Sequence, residues 1–449
     1  MSKPGTLSAA QLVAYAAPTM ALQAMMVPLL MYLPPTYSQV AGLSLATVGA
    51  MFAIGRAFEA FTDPLIGALS DRTTAAFGRR RTWMAAGAPI AMLATYFLLT
   101  PEPGTSAFYL LVWLLVFYIG WTMVFIPHQT WGGELTGDYH ERTRIAGFRE
   151  TGSFIGYLAA AFVPMVYLQM ILGEKEPSFE HIVQTIGVFF VVTLPLLVLW
   201  CFAMVPAVKV AEGESPPSWR ELFAILKRNK PFARLVLAYF IDRLAMGVYF
   251  FAQPLLIVFA LGMAEHLLWI GTANTLTAVL CAPLWVPIAR RLGKHRAYCL
   301  ANGVTAIAYV LLFVTEPGKL WIVVLANMVM GLGNGGTMIT PPAMAADAVD
   351  HDELQSGVQQ MGGHMAFIAF VFKAGMAFGP LIGAACLAWF GYEQSGQAMD
   401  ARAMLGIHVC VGLLPIVILL IPVSMMWNYP IDSERHSEIR RMLEARRTA

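Results

Sequence analysis

The sequence predicts an all-α polytopic membrane protein: twelve transmembrane helices in two pseudo-symmetric six-helix bundles. Three observations carry this expectation: a charge deficit along the whole chain, twelve apolar runs of membrane-crossing length, and basic residues concentrated in alternate loops. Of the 449 residues, 58% are hydrophobic and 12% charged, whereas a soluble globular protein carries about 25% charged residues. A net charge of +2 says little by itself; the placement of the charges says more.

A spanning helix needs about 20 apolar residues. Runs of that kind fall near 9–34, 44–70, 83–100, 108–131, 148–171 and 184–206. After the polar stretch KVAEGESPPSWRELFAILKRNK come 232–260, 267–289, 297–315, 320–344, 359–390 and 403–427. The expected organisation is an N-terminal bundle over 1–208, a linker over 209–231, a C-terminal bundle over 232–427 and a polar tail over 428–449. The N-terminal run is too long for the core of a cleaved signal peptide and reads as a first helix. Cys201, Cys281, Cys299, Cys386 and Cys410 form no CxxC pair and lie in or beside apolar runs, so they read as packing residues.

Basic residues orient the chain. With both termini and the linker on one side, 23 of the 29 Lys and Arg fall on that side. Three face the other side (Lys175, Lys319 and Arg402), and three lie within helices (Arg56, Arg243 and Lys373). By the positive-inside rule both ends are expected in the cytoplasm, with the protein multi-pass in the cell inner membrane.

The halves echo each other. PHQTWGGELTGDYHERT follows the fourth run and PPAMAADAVDHDELQSG the tenth. Each has proline followed by acids at comparable spacing: Glu134, Asp138 and Glu141, then Asp347, Asp350 and Glu353. GALSDRTTAAFGRRR after the second run is answered by PIARRLGKHR after the eighth. Such duplication is what transporter folds show, with a binding site between the halves near the midplane. The sequence has no GxxxxGK[ST] motif for a built-in ATP motor. It also has no His-rich or Ser/His/Asp cluster at one membrane depth, so an enzyme is not expected.

The second run, FAIGRAFEAFTDPLIGALSDRT, holds Arg56, Glu59 and Asp63 in its middle. Insertion scales charge each such residue roughly 2.5–3.5 kcal/mol. At about 100° per residue the three fall within roughly 60° of one another, on a stripe that must face the interior or a watery cavity. Two carboxylates one turn apart repel, and either share a proton or hold a cation. Pro64 leaves the Ala60 carbonyl without its helical donor, beside the acids. The plainer reading is a buried pair in which Arg56 neutralises one acid. One cation for two acids still leaves an excess.

GALSDRTTAAFGRRR resembles the loop signature of the major facilitator superfamily. More narrowly, EAFTDPLIGALSDRT, ELTGDYHERTRIAGFRE and MAADAVDHDEL together resemble its glycoside–pentoside–hexuronide:cation symporter family, and the likeness covers nearly the whole chain. It implies a symporter that uses a cation gradient to import a small polar solute by alternating access. Animal lysophospholipid symporters resemble the same family, so a lysolipid or other amphiphile is the alternative substrate. In the family the two helix-2 acids are the cation site, a role that passes to Glu59 and Asp63, with side-chain oxygens from Thr62 and Thr122. The melibiose transporters of the family carry a third acid on helix 4, where this chain has Phe125. Sodium wants several hard oxygen ligands, so protons are favoured over sodium, with His128 as a relay or as a packed imidazole.

The sugar-gripping acid on helix 1 is matched by Gln23, so a melibiose-like substrate is not expected. Gln129 with Trp121 or Trp131 would suit a sugar, although most membrane tryptophans are packing residues. Lys373 matches the helix-11 lysine that couples cation and sugar sites. Arg56, Arg149 and Arg243 would serve an anionic solute, with snorkelling or structural pairing as the bland reading of Arg149 and Asp242–Arg243. Charges that could close an inner gate are Asp71, Arg72, Arg79, Arg80, Glu134, Asp138, Arg142, Asp347 and Asp350. Asp71 is placed to cap the positive end of helix 11. No cofactor or structural metal is expected beyond the coupling ion. The expected partners are a small-molecule substrate and membrane lipid, not nucleic acid, with the protein a monomer.

Overall fold

In a computed structural model, residues 6–75, 77–136, 139–207, 225–356, 361–392 and 400–448 are described. The side chains at 60, 64, 68, 71, 139, 140, 142, 143, 361–363, 366, 447 and 448 fall outside that description. All the regular structure described is helical, and among the described residues 12 helices are long and apolar enough to cross a membrane. The first six are α1 (Ala9–Ala41), α2 (Leu45–Arg72), α3 (Arg79–Leu99), α4 (Ala107–Glu134), α5 (Tyr139–Pro164, prolonged by a π-helical segment Met165–Ile171) and α6 (Phe179–Met204). The second six are α7 (Lys230–Ala260), α8 (Ala264–Leu292), α9 (Lys294–Phe313), α10 (Leu320–Ser356), α11 (Met361–Trp389) and α12 (Ala401–Trp427).

Local chemistry sets where these helices begin. Ser8 forms a capping box with Gln11, and the hydroxyls of Ser44, Ser106 and Ser178 accept from backbone N–H groups three residues on. Asn229 and Asp400 do the same for α7 and α12. Each side chain satisfies a donor that a helix start leaves without a partner.

The chain divides into two compact units, one holding α1–α6 and the other most of α7 onward. Their internal packing follows one plan. In the first unit α1 packs on α5 and α6, α4 on α2 and α3, and α3 on α6. In the second α7 packs on α11 and α12, α10 on α8 and α9, and α9 on α12. Small residues let equivalent crossings close up. A Cβ on Gly152 of α5 would come 2.6 Å from the Ala16 carbonyl oxygen of α1, and one on Gly379 of α11 would come 2.5 Å from Gly247 Cα of α7.

Two segments differ from expectation. The acids after the tenth run are not in a loop, because α10 continues through Pro341–Pro342 to Ser356. Asp347, Asp350 and Asp352 find partners inside the second unit, so these three need no water-exposed turn. Asp352 is fully buried against Arg228 (2.6 and 2.8 Å), Asp347 takes Lys294 Nζ at 2.6 Å, and Asp350 takes His436 Nε2 at 2.9 Å. The tail forms a further helix, α13 (Ser433–Thr448), whose Ile439 and Leu443 are buried with Tyr429, Ile431 and Met426.

Candidate functional site

The α2 helix has two chemically opposite faces. Ile54, Phe61, Leu65 and Leu69 are exposed on one side, with Phe61 75% accessible, as suits lipid contact. Arg56, Glu59 and Asp63 lie about 180° away around the helix, turned toward α1 and α4. Arg56 and Glu59 are buried (7% and 2% exposed), and Asp63 is half-buried.

Arg56 Nη1 donates to Glu59 Oε2 at 2.7 Å, and Nη2 lies 3.7 Å from Met26 Sδ of α1. Its guanidinium carbon stands 4.9 Å from the centroid of the Tyr118 ring, a cation–π contact on α4. Asp63 is within electrostatic reach of the same guanidinium. Thr122, one helical turn beyond Tyr118, donates from Oγ1 to Asp63 Oδ1 at 2.8 Å. Thr62 Oγ1 donates to the Glu59 carbonyl at 3.2 Å. Counted over Arg56, Glu59 and Asp63 alone, with both acids ionised, the stripe carries two negative charges and one positive, set among hard oxygens. A proton or a small cation would neutralise it.

Aromatic residues extend the site along α4. Trp121 stacks with Phe125 (6.1 Å between centroids, planes at 23°) and leans on Phe117. Its indole N–H is buried and has no hydrogen-bond partner among the described residues. Gln23 is half-buried on α1 and Gln129 half-buried on α4.

Other expected residues stand apart from this cluster. His128 is locked to α1: Nε2 meets the Tyr15 carbonyl at 2.7 Å, the Tyr15 hydroxyl donates to the His128 carbonyl at 3.1 Å, and the rings stack at 4.5 Å. None of its described hydrogen bonds reaches an acid. Arg149 pairs with Glu150 at 2.6 Å and lies within electrostatic reach of Tyr15 and His128. Trp131 is the platform for Arg81, whose guanidinium carbon is 5.2 Å from its ring centroid.

The charged ends of α3 and α4 meet within the first unit. Glu134 accepts from Arg79 at 2.7 Å and from Arg80 at 2.5 Å, and Arg80 also donates to Ser70 at 2.6 Å. Arg72 is exposed. Asp138 and the side chains of Asp71 and Arg142 lie outside the described residues. In the second unit, Asp347 and Asp350 are engaged as described above, and Lys373 is half-buried on α11.

A second buried charge group lies in the second unit. Asp242 pairs with Arg243 at 3.0 Å and accepts from the Tyr298 hydroxyl at 2.9 Å. Arg243 donates to Thr337 at 2.9 Å and lies over the Tyr239 ring. This pair ties α7 to α9 and α10, as structural pairing would.

Sequence reasoning missed Tyr118 and Tyr15. Tyr118 had a readable signal, since Tyr118, Trp121, Thr122 and Phe125 share one face at i, i+3, i+4 and i+7. Tyr15 had none, because its partner lies 113 residues away.

Twelve spanning helices in two units of matching internal packing narrow the choice of family. The family model for MFS/sugar transport proteins matches residues 14–433. The chain belongs to that family. It is a multi-pass membrane transporter and not an enzyme. An uncharacterized symporter of Bacillus subtilis, YnaJ, is 25% identical over 92% of this chain and 90% of its own. A glucuronide carrier protein homolog of Escherichia coli is 24% identical over 91% and 90%. A sodium-dependent lysophosphatidylcholine symporter 1-B of Danio rerio is 23% identical over 88% and 82%. Among solved structures, a bacterial homolog of the human lysosomal transporter Spinster superposes with a TM-score of 0.70, at 15% identity, over 99% of both chains. At that identity the likeness speaks for the fold alone.

Proposed function

We propose that the protein is a cation-coupled secondary active symporter. It imports a small polar solute, a sugar of the glycoside, pentoside or hexuronide class, by alternating access, with both termini in the cytoplasm. The observation that carries this reading is the α2 stripe: one guanidinium reaching two carboxylates, with the Thr122 hydroxyl on Asp63. Two carboxylates held one helical turn apart inside a membrane repel each other, and a cation or proton that loads the site relieves that cost. Loading therefore changes the free energy of burying the site, which is what coupling to a gradient requires.

Protons are favoured over sodium. Phe125 supplies no carboxylate where the resembling melibiose transporters have one, and the two acids with Thr122 are few ligands for a hard cation. Asp63 is the loading group and Thr122 positions it. Lys373 couples the ion to the solute from α11. Gln23, Gln129 and the indole N–H of Trp121 are donors and acceptors for sugar hydroxyls. The glucuronide carrier homolog supports a sugar substrate. The lysophosphatidylcholine symporter supports the amphiphile alternative, as does the absence of acids at Gln23 and Phe125.

A thermal-shift screen of purified protein separates these readings. Neutral glycosides, hexuronides and lysolipids are compared with and without sodium at two pH values, on wild type and Asp63→Asn. A sugar that stabilises, with an ion or pH dependence lost in Asp63→Asn, supports the proposal. Stabilisation by lysolipid alone selects the amphiphile reading, and sugar binding indifferent to Asp63 removes the α2 stripe from coupling.

A further inference from the structure

A groove of about 550 Å³ opens in the first unit where the end of α5 meets α6. Its wall is apolar, formed by Val163, Leu168, Leu172, Val188 and Phe189, and one end is polar, with Glu174, His181 and Gln184. The π-helical segment Met165–Ile171 borders it, and leaves Met170 and Ile171 exposed beside it. Val188 is 65% exposed on the facing helix.

Of the polar end, Glu174 lies between the membrane-spanning segments Arg144–Ile171 and Phe179–Met204, and His181 and Gln184 lie in the first two turns of the second, so this end sits near the membrane surface. Its charge is one-sided. Between residues 163 and 189 the ionised side chains are Glu174, Glu176 and Glu180 against Lys175 alone. His181 Nδ1 donates to Glu174 Oε1 at 2.8 Å, and Gln184 Nε2 donates to Glu180 Oε1 at 2.9 Å. Glu174 lines the groove itself and Glu180 adjoins it through Gln184; each keeps a second oxygen with no hydrogen bond among the described residues. An apolar trough running into the membrane beneath an acidic rim matches an amphiphile with a hydrocarbon tail and a cationic hydrogen-bond donor at its head.

We propose that this groove holds one membrane phospholipid with a primary ammonium headgroup, as in phosphatidylethanolamine. One acyl chain lies along Leu168, Leu172, Val188 and Phe189. The ammonium donates to the outer oxygens of Glu174 and Glu180. A carboxylate rim repels an anionic headgroup, and a trimethylammonium group brings charge without N–H donors, so the order is phosphatidylethanolamine, then phosphatidylcholine, then phosphatidylglycerol.

Native mass spectrometry of the purified full chain tests this. Delipidated protein is re-exposed to equal amounts of phosphatidylethanolamine, phosphatidylcholine and phosphatidylglycerol, and the lipid retained per protein is counted. Wild type is expected to retain one phosphatidylethanolamine with about a threefold preference over phosphatidylglycerol, the size an exposed ion pair supports. Val188→Trp, which fills the groove from a lipid-facing position, is expected to abolish that retention. Glu174→Gln with Glu180→Gln is expected to keep a lipid bound but erase the headgroup preference. Equal retention of all three lipids by wild type, or unchanged retention in Val188→Trp, overturns the proposal. A preference that survives the double glutamine variant overturns the headgroup assignment.

Discussion

The Thr122 hydroxyl donates to Asp63 across the α2–α4 interface at 2.8 Å. A hydrogen bond to a charged group contributes about 1.5–3 kcal/mol, so Thr122→Val is expected to change ion affinity about tenfold or more, and Thr122→Ser much less. The sign identifies the ion. Under sodium coupling the half-saturating sodium concentration for uptake rises in Thr122→Val. Under proton coupling the lost donor no longer favours the ionised carboxylate, so proton-driven uptake persists to a higher pH than in wild type. Ion-dependent uptake into membrane vesicles, measured across pH and sodium, reads either result.

Arg56 and Glu59 are a buried pair, and removing one partner from such a pair costs about 3–5 kcal/mol. Arg56→Gln should therefore lower the unfolding midpoint of the purified protein markedly. The double variant Arg56→Gln with Glu59→Gln should recover most of the loss. A double variant as unstable as Arg56→Gln alone would show that packing on Tyr118, and not charge, governs the position.

His128→Asn is expected to leave the pH and sodium dependence of uptake unchanged while costing about 1–3 kcal/mol of stability through the Tyr15 contacts. Vesicle uptake and thermal unfolding of the same preparation give both numbers. An altered coupling-ion requirement would place His128 on the ion path instead.

Lys373→Val should uncouple the protein: solute still binds, but a gradient no longer concentrates it. Binding by thermal shift together with gradient-driven accumulation separates this from simple loss of fold. Coupled uptake at the wild-type level would remove Lys373 from the mechanism.

Ile439 is fully buried where α13 meets the second unit, and burying such a side chain contributes roughly 1.5–3 kcal/mol. Ile439→Asp should release α13, seen as faster proteolysis of residues 433–448 than in wild type. An unchanged cleavage rate would mean that His436 and Arg440, which lie 2.9 and 3.6 Å from Asp350, suffice to hold the helix.

The membrane architecture was legible because hydrophobic length and basic-residue placement are properties of the chain read in order. The α2 stripe was legible for the same reason, since Arg56, Glu59 and Asp63 sit on one helix. What α4 brings to it was only half legible: Thr122 came from a family resemblance, and Tyr118 did not come at all. The fate of the charged ends was less visible. Asp350 finds His436, 86 residues later, and Asp352 finds Arg228, 124 residues earlier. A polar tail reads as solvated chain until Ile439 and Leu443 have an apolar surface to meet. The ordinary pKa of imidazole left His128 open as a relay or as a packed side chain, and its contact with Tyr15 joins residues 113 apart, which helix periodicity does not encode.

The two-faced character of α2 limits how this helix can move. Its hydrocarbon side and its charged side are half a revolution apart, so even a modest roll about its own axis would carry a carboxylate toward lipid and Phe61 toward the interior. Each misplaced charge would cost roughly 2.5–3.5 kcal/mol. The helix is thereby keyed against rotation like a shaft in a slot, free to tilt or slide but not to spin. Asp63 would then gain or lose access to water through movement of the elements around α2, and the rotational setting that α2 presents to the bilayer would stay constant.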